Sequence, residues 1–375
     1  MKKFLRKILI LIFLIVLICL VKKLDILDFS VFTSSISEEE LSNYTGFYFD
    51  KLEKDEKEIY IRMDKAVANK KEEVFLAFQA QEDLTQKVTK VITAYFYDNP
   101  EKYNISNEYV IYTKDLKIVQ YSMLKLKYIT NDPIVERSQK EQFEIVINEI
   151  LAENIYDGMT DFEKQLALHD ALVRHINYYK YEDISTIPAS KHTAYGALVE
   201  KEAVCDGYSK AYKILLDRAG IENIIVNGTT NNLAHAWSMV KLEDKYYHVD
   251  VTSDKLEKGN RKYVIHTYFN VTDDEIGKTH SINRTFEYPT STESKYNYYM
   301  EKGCYIKNNE NLYSRLKKII SSQKERELLE IRVGNEHSAD DIIDELYYLN
   351  FNNWRSSGKT NVEYNKAGDV YIFVK

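Results

Sequence analysis

Apolar positions along the chain change their spacing several times, and each change marks a new element. From about residue 52 to 97 the chain is charged and periodic, with Ile59, Ile61 and Met63, then Val74, Phe75 and Phe78. This pattern predicts mostly helices, ending near the turn at 98–100. Residues 108–130 hold two β-rich runs, EYVIYTKD and KIVQYSMLKLKYIT. The second alternates through Val119, Tyr121 and Met123, then through Leu124, Leu126 and Tyr128. The one-residue shift between those sets predicts a bulge. Helical spacing returns at 136–152, where Phe143, Val146, Ile147 and Ile150 share a face. Thr160 and Glu163 form a capping box, so a helix starts there.

In VCDGYSKAYKILLDRAGI (204–221), Tyr208, Ala211, Tyr212, Leu215, Leu216 and Ala219 make one apolar helical face. Gly220 fits just past its end. ENIIVNGTT then reads as a strand. LAHAWSMVKL and KYYHVDV alternate on either side of Glu243-Asp244 and read as a β-hairpin. Pairing about that turn sets Trp237 opposite Asp250, with His235 two residues along on the same face. His235 and Asp250 become diagonal neighbours, roughly 7–8 Å apart at the backbone. A three-residue loop without a bulge would instead put them on opposite faces. After residue 290, helix-like YSRLKKIISSQ and DDIIDELYYL alternate with strand-like ELLEIRV and VYIFVK. These suggest a small C-terminal α+β domain.

Composition narrows the class. The chain has 375 residues, 44% hydrophobic and 29% charged, with net charge -7. That is ordinary for a folded protein of two or three domains. The acidic balance gives no footing for nucleic acid. Lys2, Lys3, Arg6 and Lys7 precede an apolar run from Ile8 to Val21, closed by Lys22 and Lys23. The run is shorter than the roughly 20 residues of a bilayer span, and no small-x-small cleavage site follows. It reads as an uncleaved signal anchor at 1–23, with the N-terminus inside and the body extracytoplasmic. A cleaved signal peptide would change only the tether. The expected order is a linker at 24–40, an N-terminal α+β domain at 41–134, a catalytic domain at 135–290 and a C-terminal α+β domain at 291–375.

Cys19 lies in the anchor, which leaves Cys205 and Cys304 in the body. One disulfide between them is possible, but this is no disulfide scaffold. Cys205 falls at a helix start, where partial positive charge and unsatisfied N–H groups favour a thiolate. The same N–H groups can hold an oxyanion. Cys205 is thus a candidate nucleophile, His235 its general base and later acid, and Asp250 the group that orients the imidazole. Nothing in the spacing alone brings Cys205 to His235.

The ordered motifs VCDGYSKAYKILLDRAGI, NGTTNNLAHAWSMVKL (227–242) and KYYHVDVT (245–252) resemble the transglutaminase-like superfamily. The order is Cys at a helix start, His followed by Ala-Trp, and Asp at a hairpin strand end. FEKQLALHDALV, HTAYGALVEKEAVC and KYVIHTYFNVTDDEIGKTH look like bacterial members too, so the resemblance covers about 160–285. It implies a papain-like α+β fold that packs the cysteine helix against an antiparallel sheet. It also implies attack of Cys205 on a glutamine or peptide amide to form a thioester. A lysine amine would then crosslink, and water would hydrolyse. Ser253 stands where members often carry an aromatic, which implies a wider cleft wall.

Further candidates are weaker. His192 and Tyr195 are candidate oxyanion donors beside the Cys205 N–H. His169-Asp170 reads as a packing pair on a helix. His248 reads as a structural neighbour of Asp250. A zinc site from Cys205, His235 and His248 has the right ligand types but no second cysteine. The tyrosine pairs, among them Tyr178-Tyr179, read as strand or interface filling. The expected protein therefore needs no cofactor or metal, binds a protein or peptide substrate at the cell surface, and touches the membrane through its anchor. The alternative is a catalytically silent binding or scaffold module.

Overall fold

Local signals account for most of the elements in the computed structural model, which describes residues 36–78, 83–115, 120–323, 328–334, 336–349, 364–367 and 369–374. The expected anchor at 1–23 and most of the linker lie outside the described residues. Among the described residues no helix is long and apolar enough to cross a membrane. The contacts divide the chain into two compact units. One runs up to Asp98 and takes in Ile105–Tyr128; the other takes Asn99–Asn104 and the residues from Ile129 onward.

In the first unit, helix α1 (Lys54–Ala68) opens on a capping box between Glu53 and Glu56 and buries Ile59, Ile61 and Met63. Helix α2 (Leu84–Asp98) buries Val88, Val91 and Tyr95. Between them the structure departs from the helical expectation, because Glu73–Phe78 is a strand, β1. EVFLAF is a short apolar run, which periodicity alone cannot divide between helix and strand. It pairs antiparallel with β3 (Gln120–Tyr128), which also pairs with β2 (Ile105–Asp115), giving the order β1-β3-β2. The expected bulge lies on the partner strand. Phe75 pairs with Met123 and Ala77 with Ser122, so the extra residue is Leu76.

In the second unit, helix α3 (Pro133–Asn154) starts at Pro133 and is capped by Asp132, whose carboxylate accepts from Ile134 N at 2.8 Å. Helix α4 (Asp161–His175) carries the expected capping box: Glu163 N donates to Thr160 Oγ1 at 3.2 Å, and Thr160 N to Glu163 Oε2 at 2.8 Å. A short parallel pair follows, β4 (Asn177–Tyr178) with β5 (Glu202–Ala203). Helix α5 (Cys205–Arg218) comes next and lies against β6 (Asn223–Thr230) and β7 (Leu233–Leu242). β8 (Lys245–Val249) completes the hairpin. The remaining strands here are β9 (Lys255–Lys258), β10 (Arg261–Val264), β11 (Phe269–Val271) and β12 (His280–Ile282). The central sheet runs β11-β8-β7-β6-β12, all antiparallel.

The C-terminal segment shares a hydrophobic cluster with the central one. It forms helices α6 (Leu312–Ser322) and α7 (Ala339–Tyr348) and a sheet of β13 (Tyr305–Ile306), β14 (Leu328–Val333), β15 (Tyr364–Ala367) and β16 (Val370–Val374), ordered β13-β14-β16-β15. Leu329, Ile331, Ile372 and Phe373 belong to the same hydrophobic cluster as Leu168, Leu172, Leu215 and Val240. Residues 291–375 therefore share one core with the central segment. The sequence showed the elements, but a shared core depends on which apolar faces meet, and no local pattern encodes that.

One close approach fixes the edge of the central sheet. A Cβ on Gly228 would stand 2.1 Å from Ser281 O and 2.9 Å from Trp237 Cη2. Gly228→Ala should force β12 away from β6 and destabilise the protein by about 1–3 kcal/mol, the usual cost of overpacking. A lower urea midpoint would register it; an unchanged midpoint would mean the edge yields freely.

Candidate active site

Cys205 is the first residue of α5, half-buried, after an extended Val204 (φ -92, ψ 177) that caps the helix with no side chain. The N–H groups of the first turn thus carry no side-chain cap, which suits an anion. The strap before the helix runs close beneath it. Val204 N donates to Lys191 O at 3.0 Å. A Cβ on Gly207 would come within 2.8 Å of Lys191 O and 3.0 Å of Thr193 O, so only glycine allows this approach. Lys210 Nζ ties the same parts together, bonding Asp206 Oδ2 at 2.8 Å and His192 O at 2.9 Å.

The hairpin has the register its sequence implied. Leu242 pairs with Lys245 and Ser238 with Val249, so Asp250 follows β8 level with Trp237. Glu243 takes the left-handed turn conformation (φ 54), uncommon for such a residue. Lys295 Nζ and Tyr296 OH both hold its carboxylate at 2.8 Å. At the far end His235 Nε2 meets Asp250 Oδ2 at 2.8 Å. Asp250 is wholly buried. Its Oδ1 accepts from the backbone N–H of Thr252 (3.0 Å) and Ser253 (3.2 Å). Cys205 also contributes to the upward shift of the His235 pKa, so thiol and imidazole lie within electrostatic reach of each other. With Nε2 engaged by the carboxylate, Nδ1 is the nitrogen left to face the sulfur. Helix, hairpin and fold therefore bring together all three residues singled out in the sequence.

Residues 150–251 match the core model of the transglutaminase-like superfamily. That segment is similar to a transglutaminase-like core. Among solved structures, one described as a TGase aligns at 11% identity over 64% of this chain and 59% of its own, with TM-score 0.29. A candidate cysteine protease from Cytophaga hutchinsonii aligns at 13% identity over 39% of this chain and 62% of its own, TM-score 0.24. A candidate protease from Parabacteroides distasonis ATCC 8503 aligns at 9% identity over 38% of this chain and 36% of its own, TM-score 0.24. The chain thus spans less than two thirds of each. None of the curated proteins matches it significantly.

Electrostatics in the transglutaminase-like core favour a charged His235. Burial opposes protonation of the ring, but the charge of Asp250, its hydrogen bond and the influence of Cys205 outweigh it and raise the pKa to about 10. Burial likewise opposes ionisation of Asp250. His235, then His280, outweigh that and hold the carboxyl well below the usual range. Both shifts describe one coupled pair.

His280 is a residue that sequence reasoning missed. Its Nε2 lies 3.1 Å from the same Asp250 Oδ2, and its Nδ1 is 2.8 Å from Thr279 Oγ1. Trp237 packs against both rings, stacked on His235 (6.1 Å, 21°) and edge-on to His280 (5.0 Å, 64°). Tyr178 is the second omission. Burial raises its pKa first and the charge of Cys205 second, so its phenol lies within electrostatic reach of the thiol. Its strand pairs it with Ala203, two residues before Cys205, a link that only the fold supplies.

The other candidates have partners of their own. Tyr195 OH bonds Gln142 Oε1 (3.1 Å) and its ring stacks on Tyr103 in the core, a packing role. The His192 ring lies 3.7 Å from Asp206. His248 receives the Trp237 indole N–H at 3.0 Å and faces Asp273 at 2.9 Å, so both ring nitrogens are occupied and the Cys205–His235–His248 zinc set does not assemble. Cys205 and Cys304 are both thiols. Two donor groups among the described residues are close enough for a metal, His235–Asp250–His280 and His169–Asp170–His266, each with ligand atoms within 4.8 Å.

Because folding raises His235 from 6.5 to about 10, the pair's stabilisation is complete below pH 6.5 and is lost as pH climbs through 10. An NMR titration of the imidazole should find His235 protonated at pH 8, and deprotonating at lower pH in Asp250→Asn. A wild-type midpoint near 6.5 would mean that Asp250 does not set its charge.

Proposed function

We propose that this protein is a cysteine acyl-transfer enzyme acting on amides of protein or peptide substrates. The observation that carries the reading is His235, joined through Nε2 to buried Asp250 and within electrostatic reach of Cys205 at an open helix start. The match to a transglutaminase-like core supports the same chemistry.

The reaction follows from those groups. The Cys205 thiolate attacks the amide carbonyl carbon, and the oxyanion forms beside the first-turn N–H groups and the Tyr178 phenol. His235 gives its Nδ1 proton to the leaving nitrogen as the C–N bond breaks, which leaves a thioester and a neutral imidazole. The imidazole then takes a proton from the incoming amine or water as that group attacks. The C–S bond breaks and the thiolate–imidazolium pair returns. Asp250 keeps the ring in one tautomer throughout and balances its charge. An amine acceptor yields a crosslink, and water yields the acid.

We further propose an extracytoplasmic setting, with residues 1–23 as the tether. The support is Lys2, Lys3, Arg6 and Lys7 ahead of the apolar run Ile8–Val21. Tagged protein should fractionate with membranes, and external protease should degrade its body on intact cells. Protection from that protease would sink the topology.

A glutamine peptide with a labelled amine tests the chemistry. Wild type should release ammonia and either incorporate the amine or form the acid, and Cys205→Ala should do neither. Acid without incorporation identifies a hydrolase. Equal inertness of wild type and Cys205→Ala across glutamine and peptide substrates, with Cys205 alkylated no faster than a free thiol, supports a silent binding module instead. Tyr178→Phe should lower kcat by about 10- to 1,000-fold with little change in KM, as for loss of one oxyanion donor.

A further inference from the structure

The residues around His169 form a second constellation that the acyl-transfer reading does not use. His169 and Asp170 are neighbours on α4, and His266 lies between β10 and β11. His169 Nδ1 stands 3.1 Å from Asp170 Oδ1, and His266 Nε2 stands 3.0 Å from that same oxygen. Two donors bound on a tetrahedral metal at about 2.1 Å are about 3.4 Å apart, a few tenths of an ångström beyond these contacts. We propose that His169 Nδ1, Asp170 Oδ1 and His266 Nε2 form a site for a divalent first-row transition metal of the zinc type.

The other ring nitrogens strengthen this assignment. His169 Nε2 meets Asp254 Oδ2 at 3.2 Å, and His266 Nδ1 meets Glu330 Oε1 at 3.0 Å. Metal-bound histidines typically give their second nitrogen to a carboxylate, which fixes tautomer and ring direction. Here both do so, and the carboxylates are themselves held. Tyr268 N donates to Asp254 Oδ1 at 2.9 Å, and His266 N and Tyr299 OH donate to Glu330 Oε2 at 3.0 and 3.2 Å. Arg174 Nη2 occupies the remaining oxygen of Asp170 at 3.2 Å and turns Oδ1 toward the imidazoles. Tyr298 lies flat on the His266 ring (3.6 Å, 4°) and locks it in place.

Charge and access agree. Three carboxylates, Asp170, Asp254 and Glu330, face two imidazoles, so a cation that displaces the imidazole protons meets a surplus of negative charge. Arg174 is the opposing charge, and its side chain is 63% exposed. Asp170, His266 and Glu330 line an open cleft of about 400 Å³, which gives a metal an entry path and room for water ligands. The metal would also brace the turn beside the thiol site, because Asp254 N donates to Asp250 O at 3.1 Å.

The test is zinc binding by chelator-treated protein in the Cys205→Ala background, which removes the competing thiol and leaves the acyl-transfer reading out of the result. Calorimetry should find one zinc per chain and a raised melting temperature. Glu330→Gln, which keeps a hydrogen-bonding group, should weaken binding by about 10- to 100-fold, the usual effect of losing an outer carboxylate. His266→Ala should abolish it. Should that variant fail to fold, X-ray absorption on zinc-loaded protein carrying Cys205→Ala and His235→Ala, which leaves the other donor group one imidazole, decides: two imidazoles with oxygen ligands support the site, and any other set overturns it. No binding at millimolar zinc, or binding indifferent to Glu330→Gln, leaves a plain hydrogen-bond network and overturns the proposal.

Discussion

A single buried carboxylate organises the site. Asp250 is wholly withdrawn from water, and a lone charge there would be costly. It is tolerated because two imidazoles meet one oxygen and two backbone N–H groups meet the other. That arrangement imposes four conditions on the chain. The hairpin must keep its register, the turn at 250–254 must keep its shape, β12 must bring His280 to the sheet edge, and Trp237 must pack against both rings. Each condition concerns packing, yet together they decide the charge on the nitrogen that faces Cys205.

Whether a buried ion pair stabilises a fold is uncertain in general, since desolvation offsets most of the attraction. Here the balance is shifted by number. The carboxylate has four hydrogen-bond donors, so breaking one contact leaves others in place. The imidazole of His235, in contrast, depends on Asp250 for its charge. Loss of the carboxylate therefore affects the ring more than loss of His280 affects the carboxylate. This asymmetry marks His280 as a positioning residue that acts through Asp250.

Parts of this were legible in the sequence because they are local. The apolar face from Tyr208 to Ala219 marked the helix, the Thr160–Glu163 spacing marked another, and counting outward from Glu243-Asp244 paired His235 with Asp250. The turn is not of the favoured Asn-Gly type, and a glutamate at φ 54 is uncommon. Lys295 and Tyr296 hold Glu243 from 52 and 53 residues away. The remaining misses have the same character. His280 lies 30 residues from Asp250, and Tyr178 reaches the thiol through a two-residue parallel pair. EVFLAF was too short for its periodicity to distinguish strand from helix. The C-terminal elements were visible, but the core they share with the central sheet was not.

That shared core has a consequence for how the protein comes into being. β16 sits between β14 and β15, and its Ile372 and Phe373 pack in the cluster that also holds Leu215 of the cysteine helix. Synthesis delivers Cys205 to the ribosomal exit long before those strands. The hydrophobic cluster that includes its helix is complete only when that later stretch has emerged. A nascent chain thus carries its thiol through a period in which the supporting core is unfinished.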